Sequence, residues 1–175
     1  VIDVAAYTVL IALVAVERLA ELLIARRNAA WSLARGGVEY GRGHYPPMVA
    51  LHTGLLVGCL LEVRWAERPF LPGLGWPMLV LALAAQGLRW WCIGVLGPRW
   101  NTRVIVVPGL PLVAGGPYRW LRHPNYLAVA VEGFALPLVH TAWVTALGFT
   151  VLNSLLLATR LRCEEAALTL CRAAA

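Results

Sequence analysis

The chain has no lysine and little charge of any kind. All fifteen of its basic residues are arginine, and 14% of its 175 residues are charged. Cys59, Cys92, Cys163 and Cys171 form no Cys-x-x-Cys pair, so no zinc framework is visible and no metal is expected. Cys59 and Cys92 fall inside apolar runs, where a thiol behaves as a small inert hydrophobe. There is no Gly-x-Gly-x-x-Gly following a strand, which excludes a dinucleotide held in the Rossmann manner. Nor is there an internal repeat, which weighs against a transporter built from related halves. The first apolar run lacks a basic start, and Glu17, Arg18 and Glu21 interrupt its later half, so it is not read as a cleaved signal peptide.

What is present is apolar. The chain is 60% hydrophobic with a mean hydropathy of +0.70. A soluble domain of this length leaves too large a share of its surface exposed to hide that much apolar area. Lipid can cover it, so one integral-membrane domain over residues 1–175 is expected. Apolar runs occupy residues 4–25, 48–63, 75–96, 127–139 and 142–159. About 20 helical residues cross a hydrocarbon core; the first, third and fifth runs reach or approach that length, and the second and fourth are short. Only His140-Thr141 separates the last two, which predicts a helical hairpin. The expected fold is all-α and polytopic, with about five transmembrane helices.

Arginine placement orients the chain. Arg26, Arg27, Arg35 and Arg42 follow the first run, Arg99, Arg103, Arg119 and Arg122 the third, and Arg160, Arg162 and Arg172 the fifth. With the N-terminus outside and the C-terminus in the cytoplasm, all of these lie on the cytoplasmic side, and only Arg64 and Arg68 lie outside. That is the bias of the positive-inside rule. The Arg-only, Ala/Leu/Val-rich composition looks bacterial, so the expected location is the plasma membrane. The net charge of +6 is accounted for by the membrane, and no nucleic-acid partner is expected.

Polar chemistry concentrates in two knots. The first is residues 116–126, Gly-Pro-Tyr-Arg-Trp-Leu-Arg-His-Pro-Asn-Tyr; the second is Arg160-Leu161-Arg162-Cys163-Glu164-Glu165. Pro124 suits the first turn of the fourth helix, which puts His123 at its entrance and Asn125 and Tyr126 in the first turn. The free N–H groups and positive dipole end there favour an anion, and Arg122 and Arg119 are placed to clamp it. Glu164 and Glu165, expected just past the fifth helix, bring opposite charge to the same face. Glu132 is an intramembrane carboxylate, expensive and therefore a functional candidate. Residues 97–126 contain five prolines, which preclude a long helix. Their apolar and aromatic content argues against disorder, so this segment is expected to fold over the helix ends and cap something. Cationic and anionic groups together suit a zwitterionic, adenosine-like ligand.

Structural roles compete for each residue. His123 before proline could serve as a helix cap, His52 as a packing residue, and Glu132 as the partner of Arg89. Glu164-Glu165 could be a solvated helix end beside Arg162. Trp90, Trp91, Trp100 and Trp120 read as interfacial belt residues, Arg89 as a snorkelling side chain, and Glu17, Arg18 and Glu21 as mutually neutralising.

The first knot, the hairpin containing Glu132 and the Arg160-x-x-x-Glu164-Glu165-x-x-Leu168 pattern together resemble the isoprenylcysteine carboxyl methyltransferase family of integral-membrane enzymes. The resemblance covers residues 97–168, and residues 39–47 look like the bacterial members found beside type III polyketide synthases. It implies S-adenosylmethionine bound between the hairpin and the C-terminal segment, and methyl transfer to an oxygen of a lipophilic substrate entering from the membrane. Carried over by motif, His123, Tyr126, Arg160, Glu164 and Glu165 would line the cofactor pocket. Tyr118 and Pro124, of the same motif, would join them as cofactor-binding residues, and Arg122 and Glu132, at family-type positions, would be catalytic. The implied acceptor is an alkylresorcinol or alkylpyrone hydroxyl or an isoprenylcysteine-type carboxylate, with phospholipid amines as an alternative. Related Arg-His-Pro-Asn-Tyr segments occur in NADPH-dependent membrane sterol and enone reductases, which is the competing enzyme class. A phenolic acceptor, with a pKa near 10, calls for a base; His44, His52 and Glu132 are candidates, and His44, on the same face as the knots, is preferred.

Overall fold

The computed structural model describes residues 1–173, with side chains described through residue 169. Cys171 and Arg172 therefore lie outside the described side chains. Five helices follow one another up and down: α1 (Val4–Leu33), α2 (Tyr45–Trp65), α3 (Pro72–Leu96), α4 (Pro124–Leu138) and α5 (Trp143–Ala173). Three of them are long and apolar enough to cross a membrane, in the stretches Arg42–Trp65, Pro72–Arg99 and Trp143–Thr169. This revises the expected set: the second run joins the third and fifth, because its helix starts at Tyr45 rather than at Met48. α1 carries Glu17, Arg18 and Glu21 in its middle, and α4, with 15 residues, reaches about 22 Å at about 1.5 Å per residue.

The elements begin and end for local reasons. Asp3 caps α1 by accepting from the Ala6 amide at 2.7 Å. α2, α3 and α4 each take proline in the first turn, where the missing N–H costs nothing. The start of α5 is capped from another helix. Glu62, near the end of α2, accepts from the Val144 and Thr145 amides at 3.1 and 2.7 Å and pairs with Arg68 at 3.0 Å. At that same end His140 reaches the carbonyls of Arg68 and Ile2, which ties both turns to the N-terminus.

The main core joins Tyr7, Ile11 and Val14 of α1 to Leu55, Cys59 and Val63 of α2 and to Leu136, Val139 and Phe149 of the α4–α5 hairpin. Cys59 and Cys92 are buried free thiols, as their apolar runs imply. The outer faces expose Leu13, Val16, Leu19 and Leu23 on α1 and Leu147, Val151 and Leu155 on α5, an apolar girdle suited to lipid. The tightest crossing in the hairpin is at Gly133: a Cβ there would run into the Phe149 ring. Gly133→Ala is expected to destabilise the protein by about 1–3 kcal/mol through overpacking, and Phe149→Leu should restore part of the loss. Thermal unfolding of the single and double variants in detergent checks this.

One element departs from all-α. Val38–Tyr40 (β1) and Val104–Val106 (β2) pair antiparallel, with Val38 opposite Val106 and Tyr40 opposite Val104. This ribbon ties the α1–α2 connection to the long α3–α4 connection at one end of the bundle. Below it, Asn28 on α1 donates to the carbonyls of Gly97 and Trp100 at 3.1 and 2.8 Å, and Trp100 packs with Ala25 and Ile93. Trp100 is thus a buried anchor and not a belt residue, whereas Trp90, Trp91 and Trp120 are exposed.

Candidate functional site

The polar residues of the first knot are set by a short 3-10 turn, Gly116–Arg119, whose Pro117 is buried, followed by the proline-initiated start of α4. His123 occupies the cap position of that helix, but its ring makes no capping hydrogen bond. It stacks on Tyr126 instead, with centroids 5.5 Å apart and planes at 18°, and its Nδ1 lies 3.9 Å from Oε1 of Glu164. α5 continues well beyond the apolar run, so Glu164 and Glu165 are inside the helix rather than past its end. The four-residue spacing then puts Arg160 and Glu164 on one face.

Tyr126 joins them. Nε of Arg160 donates to the Tyr126 hydroxyl at 2.9 Å, and that hydroxyl donates to Glu164. Arg160 also points an Nη at Sδ of Met48, 3.0 Å away, and its guanidinium stands 5.6 Å from the Tyr126 ring. The result is a cation–phenol–carboxylate chain held by α2, α4 and α5. Arg122 and Glu165 meet only at 4.0 Å, both exposed, a contact that solvent screens to little energy. Burial beside Cys92 pushes the Tyr118 hydroxyl up, so it stays protonated.

These groups form one wall of a cavity of about 660 Å³, within the range of ligand sites. Much of the remaining lining comes from the α3–α4 connection, apolar through Val104–Val107 and Leu110–Val113. Arg99 holds it in place by donating to the Pro111 carbonyl at 2.6 Å, and Asn101 by donating to the Ala25 carbonyl at 3.3 Å. Oδ1 of Asn125, on the polar wall, is buried without a hydrogen-bond partner. The segment expected to cap something does so.

Tyr118, Arg122, His123, Tyr126, Arg160, Glu164 and Glu165 all line this cavity. Pro124 is buried at the start of α4 and shapes the site without facing it. His44 lies next door, in a smaller cavity described below. Glu132 does not reach either cavity: its carboxylate accepts from Arg18 at 2.8 Å through both oxygens and from Arg89. Arg18 and Arg89 also pair with Glu21, Gln86 bridges Arg18 to Glu17, and Trp90 donates to Glu17. Of the two roles held open for Glu132, pairing with Arg89 is the one its contacts show, and Arg89 is a buried ion-pair partner rather than a snorkelling side chain. His52 is a packing residue, bonded to the Met48 carbonyl at 2.8 Å and edge-on to Phe149. Sequence reasoning assigned no site role to Asn125, Met48 or Arg103.

Fold and site together define a helical membrane protein with a cavity of mixed charged and apolar lining at one end of its bundle. Residues 78–170 match the model of the isoprenylcysteine carboxyl methyltransferase (ICMT) family. The chain is 37% identical over 163 residues to the uncharacterized protein YpbQ of Bacillus subtilis, covering 93% of this chain and 96% of that one. It is 25% identical over 155 residues to an uncharacterized protein of Haemophilus influenzae, covering 87% and 88%. The protein belongs to the isoprenylcysteine carboxyl methyltransferase family, a family of membrane methyltransferases.

Proposed function

We propose that the protein transfers a methyl group from S-adenosylmethionine to an oxygen of a lipophilic acceptor at the membrane surface. The observation that carries this reading is the fixed chain Arg160–Tyr126–Glu164 lining one cavity together with an apolar stretch. The residues fit the cofactor. Glu164 and Glu165 offer carboxylates for an ammonium, and Arg160, Arg122 and His123 offer partners for a carboxylate. The unpartnered Oδ1 of Asn125 suits an amino N–H of a nucleobase, since a buried acceptor left alone costs about 1–3 kcal/mol. The valine and leucine wall suits the base and the oily part of the acceptor.

When bound, the cofactor supplies a methyl group on a positively charged sulfur. The apolar wall keeps water out, and in a low-dielectric site an oxygen anion and a cation gain as their charges merge. Arg160 and Tyr126 hold Glu164 in one orientation, which serves positioning. Glu132 stands outside the chemistry and fixes α4 against α1 and α3. By the arginine bias, the cavity end of the bundle faces the cytosol.

The acceptor is an alkylresorcinol or alkylpyrone hydroxyl or an isoprenylcysteine-type carboxylate. Membranes carrying the protein, given a radiolabelled methyl donor and lipid extract, are expected to yield labelled methyl ethers or esters. Labelled methylamines would move the assignment to phospholipid N-methyl transfer, and no label in any lipid would overturn the reading.

A further inference from the structure

A second, smaller cavity lies beside the first and shares Arg103, Val104 and Arg160 with it. Its accessible volume is about 10 Å³, room for about one oxygen atom. The rest of its lining comes from β1, the turn after it and the start of α2: Glu39, Tyr40, Gly41, His44 and Tyr45. Nδ1 of His44 is buried there without a hydrogen-bond partner. Gly41, at φ +61, leaves the space: a Cβ at this position would fall 2.7 Å from that nitrogen and 2.7 Å from Sγ of Cys163.

The charges around the small cavity are arranged for an anion. Arg103 is steadied by the Glu39 carboxylate at 3.6 Å and by the Tyr45 ring, 5.0 Å from its guanidinium. Glu39, itself in the lining, also meets the exposed Arg42 at 3.3 Å, a contact that solvent screens; within the lining two guanidiniums, of Arg103 and Arg160, stand against one carboxylate. Arg160 has Nε and one Nη engaged by Tyr126 and Met48, and its guanidinium borders both spaces. Because Arg103, Val104 and Arg160 border both spaces, the small cavity adjoins the large one.

We infer that this small cavity is the acceptor subsite: it takes the reacting oxygen of an oxygen acid, a phenolic or enolic hydroxyl or a carboxylate, between Arg103, Arg160 and His44. The inference rests on the methyl-transfer reading and deepens it. The guanidiniums favour the ionised oxygen, and His44 Nδ1 is the group placed to hold the proton of a hydroxyl. The tail of the acceptor lies along Val104 and the apolar wall, so the oxygen end is buried first. An alkyl amine is excluded by the same charges.

The test uses the full-length protein in lipid nanodiscs, first titrated with S-adenosylhomocysteine and then, with that ligand bound, with pentadecylresorcinol, palmitate and hexadecylamine. At least one of the two oxygen acids is expected to bind and the amine not to bind; which acid binds distinguishes phenol from carboxylate. His44→Phe and Arg103→Gln are expected to weaken that acid by about tenfold or more, the scale of one charge-assisted hydrogen bond, and His44→Phe, which lies outside the large cavity, to leave S-adenosylhomocysteine affinity unchanged. In the wild-type protein, the nitrogen resonance of His44 Nδ1 is expected to shift when the acid binds. The inference is overturned if the amine alone binds, if both variants retain wild-type acid affinity, or if the acid binds without moving the His44 signal. Failure of the wild-type protein to bind S-adenosylhomocysteine would instead overturn the methyl-transfer reading on which the inference stands.

Discussion

Arg160→Met is expected to lower methyl transfer by about one to two orders of magnitude, the scale of one hydrogen bond made by a charged group. Arg160 is buried, donates to Tyr126, touches Met48 and borders both cavities. Without it, the Tyr126 hydroxyl loses its donor and Glu164 keeps a partner that can rotate away. Methionine preserves the apolar stem, so the loss reports the guanidinium. Arg160→Lys is expected to recover only part of the rate, because an ammonium keeps the charge but cannot present the planar fork. A steady-state assay with a labelled methyl donor decides the matter; a fall smaller than about tenfold for the methionine variant would remove Arg160 from the centre of the site.

The second large effect is on stability. Glu132 is buried and neutralises Arg18 and Arg89 from two other helices. Glu132→Gln leaves those guanidiniums in the bilayer with Glu21 as their remaining carboxylate partner. The expected loss is about 3–5 kcal/mol, the usual cost of breaking a buried pair from one side. Glu132→Gln combined with Arg89→Gln is expected to be more stable than Glu132→Gln alone, since the second change removes a stranded charge. Denaturant unfolding in mixed micelles measures both. A single variant as stable as the wild type would mean that the ion cluster is not what joins α1, α3 and α4.

What could be read in the sequence follows from what periodicity and composition encode. The apolar runs located all five helices, and Pro124 located the start of α4. The knots converged as their motif implied: His123 and Glu164 face one cavity on one end of the bundle. Helix ends were less legible. Nothing in Arg160–Glu165 stops a helix, because arginine and glutamate are good helix formers, so α5 runs on past the apolar stretch. The β-ribbon was hidden because each strand has three residues, too few for an alternating pattern to register. Trp100 was misread because its residue type suggests a membrane interface, but its partner Asn28 lies 72 residues away, and pairing at that range is not written in local sequence. Arg89 was read both as a snorkelling side chain and as the partner of Glu132, and the structure shows the second.

The central claim is that one cavity holds a charged nucleoside donor between α4, α5 and the connection that covers them. Isothermal titration of the purified protein with S-adenosylhomocysteine and, separately, with NADPH tests it most directly. Saturable heat with S-adenosylhomocysteine and none with NADPH is the expected result. Binding of NADPH alone would turn the site into that of a membrane reductase, and heat from neither would contradict the cofactor site altogether.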